Sequence, residues 1–466
     1  MKVFSGFHRI ITRFLRKESG MAKTLEELPT FSLLPIEIRP QIYKSCLKRD
    51  LCNLTLCDKF LRNDVLPLLW DKMDISWRSL EKSIPQLLTR KKSNSSIEFI
   101  SELKFSGGVE KSSNKGNIGF GFGFFLQLCD PHRLMSLEIC HFIPDGAMRL
   151  LAEKLLNLES LRIEMPSISR NHITCDWPCL KSFTKLKTLA LLYCTLKVED
   201  LKIIFAMESL CSLQLTRNGG ISDSHKISSK SFAKAMVPDF KLKNLLELNL
   251  NEIKTTDAVF TIVSANCNKL EVLKIGTGAT DLGLSCISHI STLKLFSIRC
   301  NNSVTDSSIF FLTKLPHLTT LCVEYCSSLT PHCLPLVGRM ESLCRLKVRF
   351  TNTMTVTDEL FNGLGNLTNL RSLDMYDMNK LTNASLQVIA KMKCLEELNI
   401  SNCCQFTDEG LIYLTHLPRL KALSCYLPFV DVYNDDDDNV DDDETMKITS
   451  EGLALYNLSP LLVDGI

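Results

Sequence analysis

Few side chains in this sequence have the type and spacing to do chemistry. Cys175 and Cys179, in CDWPC, stand at a loose metal-ligand spacing, but no second pair follows at zinc-finger distance, so buried or loop thiols are expected. Glycines 119, 121 and 123 begin like a phosphate loop, yet no phosphate-binding motif is completed, and a flexible insertion is the plainer reading. The nine histidines are scattered, and neither Gly-x-Ser-x-Gly nor His-Glu-x-x-His occurs. No catalytic residue, metal site or cofactor is expected. One dense group remains, CRLKVRF, in which Arg345, Lys347 and Arg349 alternate with apolar residues. On a strand, alternation sends all three cations to one face, where they would hold carboxylates or phosphates. That chemistry is binding rather than bond-making.

The element that must present these cations repeats along the chain. Leu343-x-x-Leu346-x-Val348 is one copy of Leu-x-x-Leu-x-Leu, which occurs twelve times from residue 134, as in LMSLEI, LESLRI, LTTLCV and LEELNI. The first leucines are Leu134, Leu158, Leu186, Leu210, Leu245, Leu270, Leu293, Leu318, Leu343, Leu370, Leu395 and Leu420, and all but one step lie between 23 and 28 residues. Self-similarity at this period predicts an α/β leucine-rich-repeat solenoid, with parallel strands on a concave face and helices on a convex face. The ninth position is often small or polar (Cys194, Asn218, Asn301, Cys326, Cys403), which suits the turn off the strand. Thr-Asp pairs then follow at Val304–Asp306, Val356–Asp358 and Phe406–Asp408, and each reads as the N-cap of the outer helix. FISELKF, at residues 99–105, is a candidate irregular first repeat. This version of the repeat resembles the cysteine-containing leucine-rich repeats found behind F-boxes, over about 330 residues.

Strand alternation puts positions three, five and seven of each repeat on the open face. The expected target-binding set is Arg299, Arg345, Lys347 and Arg349, with Tyr376 and Tyr426 as aromatic contacts, and the expected partner is an acidic or phosphorylated target protein. A bland alternative stands beside it. Glu324 falls level with Arg349 and Asp374 level with Lys347, so these charges can neutralise one another and leave Arg345, between Thr320 and Ser372, as the free cation.

Composition narrows the class further. The 466 residues are 45% apolar and 23% charged, which suits a folded soluble protein. The net charge of +2 hides an acidic run at 431–444, without which the rest carries +11. The basic surplus is spread, so no nucleic-acid partner is expected. Twenty cysteines without a secretion signal point to a reducing compartment, cytoplasm or nucleus. ITSEGL at 448–453 repeats FTDEGL at 406–411, so 427–447 is a loop inserted inside one repeat. It is expected to be solvated, with a role as an internal competitor for the basic groove as the alternative. Residues 1–17 have apolar and basic faces in helical register, which suits a leader or a membrane-surface contact.

Ahead of the repeats, Leu34, Ile38, Ile42 and Leu47 line one side of a short helix, Asp50 opens a second, and a third apolar set ends at Leu69-Trp70. This segment resembles an F-box: Leu34-Pro35-Ile36-Glu37-Ile38, Ile42, Asp50-Leu51 and Leu69-Trp70 match the family pattern, with Pro40 and Phe60 as departures. The resemblance implies a three-helix head in which Leu34, Pro35, Ile38, Ile42 and Leu47 dock on the small adaptor of SCF-type ubiquitin ligases, and through it on cullin and RING subunits. With the repeats behind it, the chain looks like a non-catalytic substrate receptor. The alternative is a repeat scaffold, not linked to ubiquitination, whose head only caps the array. The expected organisation is a basic leader at 1–28, the F-box-like head at 29–75, a linker with the irregular repeat at 76–130, and leucine-rich repeats at 131–466.

Overall fold

The structure, a computed structural model, describes residues 71–76, 100–106, 122–165, 175–216 and 229–425, with short interruptions, and residue 448. The adaptor-docking set of Leu34, Pro35, Ile38, Ile42 and Leu47 lies outside the described residues, as do Tyr426, the leader and the acidic loop. The chain divides into two compact units, Met1–Ser169 with Ile173–Leu186, and Arg170–His172 with Lys187–Ile466.

In the first unit, β1 (Lys72–Ser76), β2 (Glu102–Ser106), β3 (Ser136–Cys140) and β4 (Ser160–Glu164) pair in parallel and in chain order. FISELKF therefore supplies a repeat strand, as the sequence suggests. The strand before it was not foreseen: KMDIS lacks the leucine pattern, yet it begins the ladder inside the range read as the head. Asp71 fixes this start, its carbonyl accepting Ser101 N–H and Glu102 N–H at 2.8 and 2.9 Å. Phe105 and Phe122 meet edge to face in the core at 5.0 Å. Cys175 and Cys179 form no disulfide and stand on either side of Trp177, which is buried in a short 3₁₀ helix, Trp177–Ser182.

The second unit holds β5 (Thr188–Leu192), β6 (Ser212–Thr216), β7 (Glu247–Leu250), β8 (Val272–Ile275), β9 (Leu295–Arg299), β10 (Thr320–Glu324), β11 (Arg345–Arg349), β12 (Ser372–Asp374), β13 (Glu397–Asn399) and β14 (Ala422–Ser424). All are parallel, and each pairs with its neighbours in sequence. The second leucine of the motif forms one continuous row, Leu213, Leu248, Leu273, Phe296, Leu321, Leu346, Leu373, Leu398 and Leu423. Every member is buried, and each such side chain contributes about 1.5–3 kcal/mol of apolar burial. The repeat is thus a leucine-rich repeat in fact as well as in pattern.

Two further rows fix one repeat to the next. At position eight the backbone turns left-handed in Tyr193, Cys300, Tyr325, Asp377 and Asn402, with φ between 53 and 68°. For the first four, the amide reaches the strand end of the following repeat, as in Cys300 N–H to Glu324 O at 2.9 Å and Tyr325 N–H to Arg349 O at 2.8 Å. The ninth position then closes the turn. Fully buried Asn301 donates to Gly276 O and accepts from Ser303 and Val304 N–H, while the thiols of Cys194, Cys326 and Cys403 donate to nearby carbonyls. Burial pushes Cys326 up to about 11 and Cys403 up to about 12, so both stay protonated.

The Thr-Asp pairs do more than cap. Thr280, Thr305, Thr330 and Thr382 accept from the N–H two residues on, as N-caps should. Thr357 and Thr407 occupy the cap position without that bond. In four of the pairs the aspartate also binds the threonine of the next repeat. Asp257 takes Thr280 N–H and Oγ1 (2.9 and 2.7 Å), Asp281 takes Thr305 (2.9 and 2.7 Å), Asp306 takes Thr330 (2.8 and 2.5 Å) and Asp358 takes Thr382 (3.0 and 2.7 Å). Asn383 continues the ladder to Thr407. Pro331 stands where the rung between Thr330 and Thr357 would need an aspartate. There the chain relies on close backbone contact. A Cβ on Gly363 would come within 2.7 Å of Pro335 Cα, which excludes any other residue.

Asp281 also accepts from Ser308 Oγ. Burial alone would raise its pKa, but the bonds from Ser308 and Thr305 outweigh burial and hold it below the ordinary value. A carboxylate depressed in the folded state adds stability that is complete above its unfolded pKa of about 3.9 and is lost as pH falls through the folded value. Asp281→Ala should therefore cost about 2 kcal/mol at pH 7. In urea titrations the gap from wild type should narrow as the pH falls below the ordinary carboxylate value of about 3.9. Equal stability at pH 7 would mean that the ladder carries no load.

Candidate functional site

On β9–β12 the apolar positions point into the core and the alternating ones to the open face of the sheet. The register sets Leu295, Thr320, Arg345, Ser372 and Glu397 in one cross-strand row, and Ser297, Cys322, Lys347, Asp374 and Asn399 in the next. The burial pattern of β11, exposed at Arg345 and buried at Leu346 and Val348, confirms the alternation. In the third row Glu324 lies between Arg299 and Arg349.

These charges form a connected network rather than a bare basic patch. Glu324, 9% exposed, receives Lys347 Nζ at 3.2 Å and Arg299 Nε at 3.7 Å. Asp374 receives Lys347 Nζ at 3.7 Å and Arg349 Nη2 at 3.4 Å, and its other oxygen accepts Asn399 Nδ2 at 3.1 Å. The level pairs Lys347–Asp374 and Arg299–Glu324 form, but Lys347 also reaches Glu324 diagonally, and Arg349, level with Glu324, pairs diagonally with Asp374 instead. The reason is that two tyrosines engage the Arg349 guanidinium. Its Nη1 donates to Tyr325 Oη at 3.4 Å, and its Cζ lies 4.8 Å from the centroid of the Tyr376 ring. Arg299 approaches the Tyr325 ring at 6.0 Å. Burial pulls the Arg349 pKa down, but the Tyr325 hydrogen bond and the charges of Asp374 and Glu324 raise it overall, so the cation is held.

Of the residues expected from sequence, the structure gathers Arg299, Lys347, Arg349 and Tyr376 into this network. Arg345 stands apart, exposed and without an ion pair among the described residues. Tyr325, 40% exposed, was missed. It occupies position eight, outside the strand alternation, and only the left-handed backbone there aims it at the face. Position eight carries no constant residue type from repeat to repeat, so the sequence offered no signal for it.

The first unit has a similar lattice. Lys104 and Arg162 meet Glu138 at 3.1 and 3.4 Å, and Arg162 meets Glu164 at 2.9 Å. Glu138, Cys140 and Glu164 place their donor atoms within 4.8 Å of one another, a spacing that would admit a metal. The chemistry does not fit one. Both carboxylates are paired with cations, and burial with the neighbouring Glu138 pushes the Cys140 thiol up to about 12.

The fold is a leucine-rich-repeat stack whose second unit presents this charged face. No protein-family model matches the chain. Among solved structures, it is similar to one described as the Rad7 and Elc1 complex in yeast, at 17% identity over 90% of this chain and 89% of that one, with a TM-score of 0.47. It is also similar to an internalin C2 from Listeria monocytogenes, at 18% identity over 49% of this chain and 84% of that one, with a TM-score of 0.33. Neither likeness says what this face holds.

The network makes its members unequal. Lys347→Met removes the cation shared by Glu324 and Asp374 and should cost about 1–3 kcal/mol of stability. Arg345→Ala should change stability by no more than about 0.5 kcal/mol. Denaturant unfolding of the two variants measures the difference, and equal effects would contradict the pairing described.

Proposed function

We propose that this chain is the non-catalytic target receptor of an SCF-type ubiquitin ligase. Its head would dock on the adaptor through Leu34, Pro35, Ile38, Ile42 and Leu47, and through the adaptor on cullin and RING subunits. The open face of the second unit would hold the target protein, which is then marked for degradation. The receptor makes and breaks no bond; it raises the concentration of target beside the catalytic partners.

One observation carries the reading beyond the F-box resemblance. Only Asp71 separates the closing Leu69-Trp70 of the head pattern from β1, and Asp71 is itself tied to the next strand through Ser101 and Glu102. A junction of this length joins the head pattern directly to the first strand of the first unit, and such a direct join suits a receptor that must hold its repeats beside a ligase. The free thiols among the described residues suit the reducing cytosol or nucleus where such a ligase would act. The same adjacency would also suit a head that merely caps a repeat scaffold, and the two readings part at Ile38 and Ile42.

Co-purification of the full chain with the small SCF adaptor tests the proposal. Wild type should retain the adaptor, and Ile38→Asp/Ile42→Asp should lose it while keeping the wild-type circular dichroism spectrum. Absence of adaptor binding by the wild-type chain would leave the scaffold reading in place.

A further inference from the structure

Within the reading that the open face holds the target, we infer that an anionic group of the target, a carboxylate or a phosphate, docks in the row Thr320–Arg345–Ser372 and not on Lys347 and Arg349. The cations at the centre of the face are already committed: Arg299, Lys347 and Arg349 share Glu324 and Asp374, at 3.2 to 3.7 Å. An incoming anion there must displace a partner that the fold holds in place, and the gain is correspondingly small.

Two residues back along β11, Arg345 is exposed and has no ion pair among the described residues. The register puts Thr320 on one side of it and Ser372 on the other, each about 4.8 Å away across a strand. Neither hydroxyl has a hydrogen-bond partner among the described residues. A guanidinium fork flanked by two rotatable O–H donors matches a carboxylate or phosphate, whose oxygens accept from several directions at once. The ion-pair network lies beside this row on the same face, two and four residues further along the strands.

The ends of the row add direction. Beyond Thr320 lies Leu295, partly exposed, and beyond Ser372 lies Glu397, exposed. Glu397 repels a second negative charge on its side, while Leu295 offers apolar contact on the other. The segment that fits is an acidic or phosphorylated residue with an apolar neighbour on the β9 side, rather than a run of acids.

The test is selection by the full-length chain from peptide libraries with randomised flanks and a fixed central phosphoserine, glutamate or serine. Wild type should select the anionic libraries over serine, and Arg345→Ala should lower that binding about tenfold or more. Arg345→Lys should keep part of it, since the charge remains and the fork is lost. Lys347→Met should lower it no more than about threefold. Selection of phosphoserine alone identifies a phosphorylated source; selection of both identifies a carboxylate as sufficient. Loss in Lys347→Met with Arg345→Ala intact, or no preference for an anion, overturns the inference. Adaptor co-purification is read in parallel and should be unchanged in Arg345→Ala. A chain that binds anions but no adaptor refutes the receptor reading and leaves this site standing.

Discussion

Every repeat here is completed by the next one. A parallel strand cannot satisfy its own backbone, and the amide at position eight finds its acceptor only on the strand that follows, as Tyr325 does on Arg349. The outer side repeats the dependence in side chains, where Asp281 binds Thr305 and Asp306 binds Thr330. Stability in such a stack is a sum of neighbour terms, so no strand is isolated and the two ends are where the need for a cap arises.

That dependence explains the open face. Because the rungs are parallel and in register, the same strand position from successive repeats lies about 4.8 Å apart, the distance at which charges pair. Opposite charges at Glu324, Lys347 and Asp374 therefore close into a network, and the two tyrosines hold Arg349 against it. The face becomes a fixed surface with few free groups. The groups left over, Arg345 above all, are the ones open to a partner.

Much of this was legible in the sequence, for a physical reason. The period of the leucines gave the strands, alternation gave the face, and counting along the motif gave the register that set Arg345 between Thr320 and Ser372. Three things were not legible. β1 has no leucine motif, and its pairing with β2 identifies it. The aspartate ladder was hidden because Thr-Asp is already explained locally as a cap, and its second role appears only when repeats stack. Tyr325 was hidden because the left-handed turn that directs it is imposed by the repeat and not by its own preference. The long-range contacts, in each case, were what the local pattern lacked.

The closed network has a kinetic meaning as well. Paired charges a few ångströms apart cast little field beyond a Debye length of about 8 Å at physiological salt. With three cations set against two carboxylates the network leaves a small net positive charge, so its field is short-ranged and steering by this face is weak at physiological salt. Discrimination falls instead on how long each encounter lasts. For whatever this face holds, residence time is then the quantity that its few unpaired groups set.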